Sequence, residues 1–139
     1  MPSPRILAFA GSTRRESFNR RLLGLAAEQV RGAGVDVTLI ELADYALPLM
    51  DEDLEREQGV PQNARKLKQL FTEHDGLLLA CPEYNSSITP LLKNVIDWVS
   101  RKEGSEAPLA AYTGKIAGLI SASPSVLGGL RGLVTVRSI

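Results

Sequence analysis

The chain carries one cysteine and one histidine among 139 residues. A single cysteine excludes an internal disulfide and a zinc site built on cysteines. A single histidine, His74, argues against a histidine-rich metal site as well. An excess of either charge is also lacking, since 16 lysines and arginines balance 16 aspartates and glutamates. No basic stripe interrupts that balance, which makes nucleic acid and anionic membranes poor partners. No apolar run approaches the ~20 residues that a membrane span needs. The opening Met1-Pro2-Ser3-Pro4-Arg5 leads into a short apolar strand and lacks the apolar stretch of a signal peptide. The expectation is a single cytoplasmic domain over residues 1–139, large enough for one real core.

What is present is an alternation of two periodicities. Arg5–Ala10 is short and nearly continuously apolar, as a buried strand is. Ser17 is an N-cap candidate, and Leu22, Leu23, Ala26, Ala27 and Val30 recur at helical spacing through Phe18–Val30. Gly32 and Gly34 end that helix. Val35–Glu41 alternates like a more exposed strand. Leu42–Gly59 is acidic, contains Pro48 and reads as loop, with Asp51, Glu52, Asp53, Glu55 and Glu57 a solvated run rather than a metal cluster. A helix over Pro61–Glu73 follows, then a third strand at Gly76–Cys81. Thr89 and Pro90 are N-cap and N1 residues for a helix to Arg101. Lys102–Thr113 reads as loop, Lys115–Ser121 as the fourth strand and Leu130–Ile139 as helix. Strands alternating with helices imply parallel pairing and right-handed crossovers, hence an open, doubly wound α/β sheet.

Polar loops leave the carboxyl ends of three of these strands, where such sheets bind ligands. In the first, Gly11 permits a sharp turn, and Ser12, Arg14, Ser17 and Asn19 offer donors at the start of the first helix. Free N–H groups and the helix dipole favour an anion there, and Arg14 or Arg15 can grip phosphate oxygens bidentately. A capped helix with solvated arginines accounts for the same residues. Neither Gly-x-Gly-x-x-Gly nor Gly-Lys-Ser/Thr occurs, so a terminal phosphate monoester suits the loop better than a buried pyrophosphate. The second loop, Pro82 to Ser87, brings an aromatic face and an amide in Tyr84 and Asn85. Together the loops suggest a flat, phosphorylated cofactor. Cys81 lacks the arginine a cysteine phosphatase requires, since Ser87 stands at that offset, and it reads as a small core residue. Trp98 reads as packing or interface, Asp97 and Arg101 as a surface pair, and His74 as a cation at a helix end.

Gly11-Ser12-Thr13-Arg14 with Ser17-Phe18-Asn19, Pro82-Glu83-Tyr84-Asn85, Leu92-Lys93-Asn94 through Trp98, and Ser121 to Ser125 with Gly128-Gly129 resemble the NADPH-dependent FMN reductase family, which includes chromate and quinone reductases. The resemblance runs over nearly the whole chain. It implies a flavodoxin-like sheet of order 2-1-3-4, with a fifth strand and last helix that the family has and this chain lacks. The fourth strand would then be an edge, with apolar surface near the first strand uncovered. Ser12, Arg14, Ser17 and Asn19 would hold the phosphate of FMN, with Phe18 counted among the cofactor-binding residues. Pro82, Glu83, Tyr84 and Asn85 would line the ring, and Ser123 would approach from the third loop. Ser125 stands where glycine is expected, which would strain a positive φ.

The activity implied is an FMN-dependent NAD(P)H oxidoreductase. NADPH or NADH would deliver hydride to the flavin, and a quinone, azo, nitro, chromate or flavin acceptor would take the electrons. No catalytic side chain is required, because the flavin carries the chemistry. A homodimer or homotetramer is implied too. The alternatives are a flavodoxin-type electron carrier, against which the neutral charge argues, and an inactive truncated fragment.

Overall fold

The structure is a computed structural model and describes residues 3–139. Its main sheet is parallel, in the order β2-β1-β3-β6. These strands are β1 (Arg5–Ala10), β2 (Asp36–Leu39), β3 (Gly76–Ala80) and β6 (Ile116–Ile120). Helix α1 (Phe18–Gly32) covers one face, and α3 (Gln62–Glu73) with α4 (Pro90–Val99) covers the other. The period of two explains both layers. Leu7, Phe9, Leu77 and Leu79 face α3 and α4, where they meet Leu67, Phe71, Leu92, Val95 and Val99. Ala8, Ala10 and Ala80 face α1, and their small size lets Leu23 and Ala27 approach closely. Each large side chain fully buried this way stabilises the fold by ~1.5–3 kcal/mol. Among the described residues no helix is long and apolar enough to cross a membrane.

Several local expectations are corrected, while those for Trp98 as packing and Cys81 as a core residue hold. The segment after β2 is not plain loop: it forms a 3-10 turn (Leu42–Tyr45) and a helix α2 (Glu52–Gln58). Asp51 caps α2 by accepting from the Asp53 and Leu54 N–H groups, and three acidic residues occupy its first turn, where the dipole favours them. Trp98 packs in the core: it is fully buried and donates Nε1–H to the Pro48 carbonyl at 2.8 Å. Asp97 pairs with Lys93, not Arg101. Arg101 reaches Glu55 instead, at 2.7 Å, tying α4 to α2. His74, at the end of α3, is buried, with ring nitrogens 2.6 Å from the Leu70 carbonyl and 2.7 Å from the Thr38 hydroxyl. Cys81 is fully buried and burial pushes its thiol up to about 12, so it stays a neutral core group. Exposed apolar side chains include Ile116 on the edge strand β6, at 83%, while Leu7 to Ala10 of β1 itself are buried.

Candidate functional site

The sheet winds outward in both directions from the β1/β3 pair, so a crevice opens at their carboxyl ends. Three segments meet there. The first leaves β1 at Gly11, whose N–H donates to the Ala80 carbonyl at 2.9 Å. A Cβ at Gly11 would lie 3.0 Å from Leu92 Cβ, so glycine lets this turn sit close to α4 without displacing it. Ser12 Oγ accepts the Arg14 N–H, and Ser17 Oγ caps α1 by accepting the Arg20 N–H. Both serines are buried. As acceptors only, their hydroxyls keep their own protons to donate. Helix geometry leaves the Phe18 and Asn19 N–H groups without an intrahelical acceptor. The Arg14 guanidinium lies 5.7 Å over the Phe18 ring.

The second segment is not an irregular loop. It is a two-residue hairpin, β4 (Glu83–Tyr84) paired antiparallel with β5 (Ser87–Ile88). Asn85 and Ser86 form its tip at φ 51° and 67°. Positive φ at both central residues is the hairpin turn whose twist matches the strands, and asparagine tolerates it best after glycine. The tip sets Tyr84 half out in solvent. The Glu83 carboxylate turns toward α5 (Leu130–Arg137). It accepts the Gly132 N–H at 3.0 Å and the Arg131 guanidinium at 3.0 Å. Those two partners, Gly132 first, hold its carboxyl below the ordinary range. The third segment, residues 121–129, returns from β6. Gly129 has φ 89°, and a Cβ there would fall 2.1 Å from Ser121 Oγ. Ser125 is not among the residues at positive φ, so the expected strain is absent; Gly128 and Gly129 take that role.

Polar side chains stitch the segments together. Thr89 Oγ1 donates to the Gly11 carbonyl at 2.8 Å while accepting the Leu92 N–H as the cap of α4. Ser121 Oγ donates to the Cys81 carbonyl at 2.7 Å. Asn19 Nδ2 donates to the Ala122 carbonyl at 3.0 Å, and Oδ1 accepts the Ala122 N–H at 2.9 Å. Ser123 Oγ accepts the Ser125 N–H at 3.1 Å, a local turn that shapes the third segment.

The result is an open cleft of about 220 Å³. Ser12, Arg14, Ser17, Phe18 and Asn19 line it from the first segment, Pro82, Glu83 and Tyr84 from the second, and Ser123 from the third. Of the residues singled out from sequence for binding, Arg15 and Asn85 do not line it. Ala122 and Pro124 do, and sequence reasoning did not name them as site residues. The positioning roles of Thr89, Ser121 and Arg131 were also missed; Thr89 showed only its cap signal. A larger cavity of about 480 Å³ lies elsewhere, between α4, α5 and the sheet. Its walls are mainly apolar, with Phe9, Phe71, Leu79 and Val136 among them, and it shares no lining residue with the cleft.

The donors at the cleft suit an anion. Two buried hydroxyls retain their protons, two helix N–H groups lack intrahelical acceptors, and Arg14 forms no ion pair among the described residues. The one carboxylate at the wall, Glu83, is neutralised by Arg131. A phosphate monoester fits this set, and Tyr84 at the rim offers a face to a planar group.

The chain resembles known proteins over most of its length. It is 33% identical over 132 residues to a quinone reductase of Pseudomonas putida, covering 95% of this chain and 67% of that protein. It is 33% identical over 135 residues to a quinone reductase of Escherichia coli, covering 96% of this chain and 68% of that protein. Among solved structures it superposes on FerB, a flavoenzyme NAD(P)H:(acceptor) oxidoreductase from Paracoccus denitrificans, with a TM-score of 0.78 and 28% identity. That match covers 97% of this chain and 68% of FerB. The chain thus spans about two thirds of the length of these relatives. The sequence signature of NADPH-dependent FMN reductases matches residues 4–139, taking in all three segments of the cleft, and the chain belongs to that family.

Proposed function

We propose that this chain binds FMN in the three-segment cleft and serves an NAD(P)H-dependent quinone reductase. The observation that carries the reading is the pair of buried hydroxyls, Ser12 and Ser17, that each accept a backbone N–H, keep their own protons available to donate, and line the cleft beside Arg14. At about 220 Å³ the cleft is smaller than the ~300–1,000 Å³ of a pocket that engulfs a drug-sized ligand. It is sized for the phosphate and its polyol tail, and the flat ring would rest at the rim along Pro82 and Tyr84.

FMN, when bound, supplies the redox chemistry: hydride acceptance from NADPH or NADH and delivery of two electrons to an acceptor. The protein's part is binding and orientation. Ser12, Ser17 and Arg14 neutralise and align the phosphate, while the first turn of α1 adds its dipole. Glu83, fixed by Arg131 and Gly132, holds the hairpin so that Tyr84 has one position at the ring. Quinones are the first acceptor class to test, in keeping with the names of the relatives; azo, nitro, chromate and free flavin acceptors follow. A homodimer or homotetramer in the cytoplasm belongs to the same reading. Val126, Leu127, Leu130 and Val134 present exposed apolar groups on the third segment and α5, beside the hairpin.

The test is a titration of FMN into the purified protein, followed by quenching of flavin fluorescence, and then NADPH and NADH oxidation with a quinone. Saturable one-to-one binding with quinone-dependent turnover is expected. A protein that leaves flavin fluorescence unchanged at saturating concentrations rules the reading out.

A further inference from the structure

Asn19 sits at the second position of α1, where a side chain is expected to meet the ligand directly. Its geometry is different. Asn19 is 5% exposed, and both polar atoms of its amide engage one residue, Ala122, which is 103 positions away. Nδ2–H donates to the Ala122 carbonyl and Oδ1 accepts the Ala122 N–H, as a neighbouring strand would. The pairing also fixes the amide's orientation, because the flipped form would set oxygen against oxygen. Ala122 follows β6 directly and precedes Ser123 and Pro124, which form the third wall of the cleft. No backbone ladder reaches this point. Parallel pairing of β3 with β6 ends at Ala80 and Ile120, and Cys81 N–H donating to the Ile120 carbonyl is its last bond.

We propose that Asn19 is a positioning residue that extends the sheet's ordering across the open side of the cleft, fixing the third segment against the start of α1 before any ligand arrives. The inference deepens the FMN reading and rests on it for its binding arm. Only an amide meets both demands. Alanine leaves the Ala122 N–H and C=O unpaired, and aspartate keeps an acceptor but offers the carbonyl no donor. Because the clamp acts through the wall and not through the phosphate, it contributes to binding of any ligand that fills the cleft.

Riboflavin, which lacks the phosphate, separates the two roles. FMN and riboflavin are titrated into the wild-type protein, Asn19→Ala, Asn19→Asp and Arg14→Ala, and amide exchange at Ala122 is followed in the ligand-free proteins. Asn19→Ala is expected to weaken both flavins by the same factor, roughly tenfold or more, and to speed exchange at Ala122. Arg14→Ala should weaken FMN alone. Asn19→Asp is read with riboflavin alone, because its added carboxylate would repel the FMN phosphate; a smaller riboflavin loss is expected, unchanged riboflavin affinity would overturn the proposal, and this arm carries the test should Asn19→Ala fail to fold. In Asn19→Ala, a loss confined to FMN would make Asn19 a phosphate ligand through its remaining N–H and overturn the proposal, as would unchanged affinity for both. If the wild-type protein binds neither flavin, the FMN reading falls by itself. The clamp is then decided by exchange alone: faster exchange at Ala122 in Asn19→Ala supports it, and unchanged exchange overturns it.

Discussion

Both ends of the central strand pair are tied by polar groups, yet among the described residues only one end keeps donors uncommitted. At the amino end, His74 faces a carbonyl through Nδ1 and the Thr38 hydroxyl through Nε2. The Nδ1–H donates to the carbonyl, and Nε2 shares a hydrogen bond with the Thr38 hydroxyl. Lys115 donates to the His74 carbonyl, and Asp75 accepts the Arg5 N–H at 2.8 Å. Each of these groups meets another part of the chain. At the carboxyl end, Ser12 and Ser17 use their lone pairs and keep their protons, and Arg14 faces no carboxylate. Polarity alone does not mark a site; donors left uncommitted in a built cavity do. The larger apolar cavity makes the same point from the opposite side, since its volume comes with no comparable donor set.

The sharpest way to break this comparison is at His74. Alanine there leaves a void and two unpaired partners, and the expected cost is ~2–4 kcal/mol of stability, read by urea unfolding. FMN affinity of the folded protein should not change; a parallel loss of binding would show that the two ends are coupled. Thr89→Val comes next and straddles the contrast. It deprives the Gly11 carbonyl and the Leu92 N–H of their partner, so stability should fall by ~1–3 kcal/mol. FMN binding should weaken with it, because the first segment loses its hold on α4. Arg14→Ala should do the reverse of His74→Ala. FMN affinity should drop by ~1–3 kcal/mol through the lost charge-assisted contact, with the urea midpoint unmoved, and calorimetric titration reads it.

The smallest effect is expected at Glu83, which latches one short helix. Its carboxyl is held below the ordinary value of 4.5 by the Gly132 N–H first and Arg131 after it. A depressed folded-state value means that the latch contributes fully above the unfolded value and is lost as pH falls through the folded one. Thermal melts from neutral to acid pH should therefore show Glu83→Gln converging on the wild type at the acid end. A constant gap between the two curves would contradict the latch.

The strands and helices around this contrast were legible because burial on two faces writes long apolar runs, as in Leu7 to Ala10 and Leu77 to Ala80. The first and third segments announced themselves by hydroxyls and glycines at strand ends. What stayed hidden is non-local or short. Strands of two residues are too brief to show a period, and Asn85-Ser86 lacks the glycine that usually signals such a turn. Asp51 and its acidic neighbours did carry a helix-start signal, but Pro48 and the charge density read as loop. Arg101 had Asp97 one turn back, and nothing local shows that Glu55 is nearer in space. The partners of the Asn19 amide and the Glu83 carboxylate stayed hidden for the same reason: a side chain's partner 103 or 49 residues off leaves no mark on its own neighbourhood.

Those long separations also set a timetable. The bonds that close the cleft span 40, 49, 78 and 103 residues of chain. Contacts between distant segments form late, since the loops they close must first be drawn in. A ribosome that has delivered β1, α1 and β3 has made most of the serine and arginine donors but nothing to hold opposite them. Binding competence comes only with the passage through Ala122 and Gly132, so a ligand of this cleft can lock the finished domain but has no hand in its early assembly.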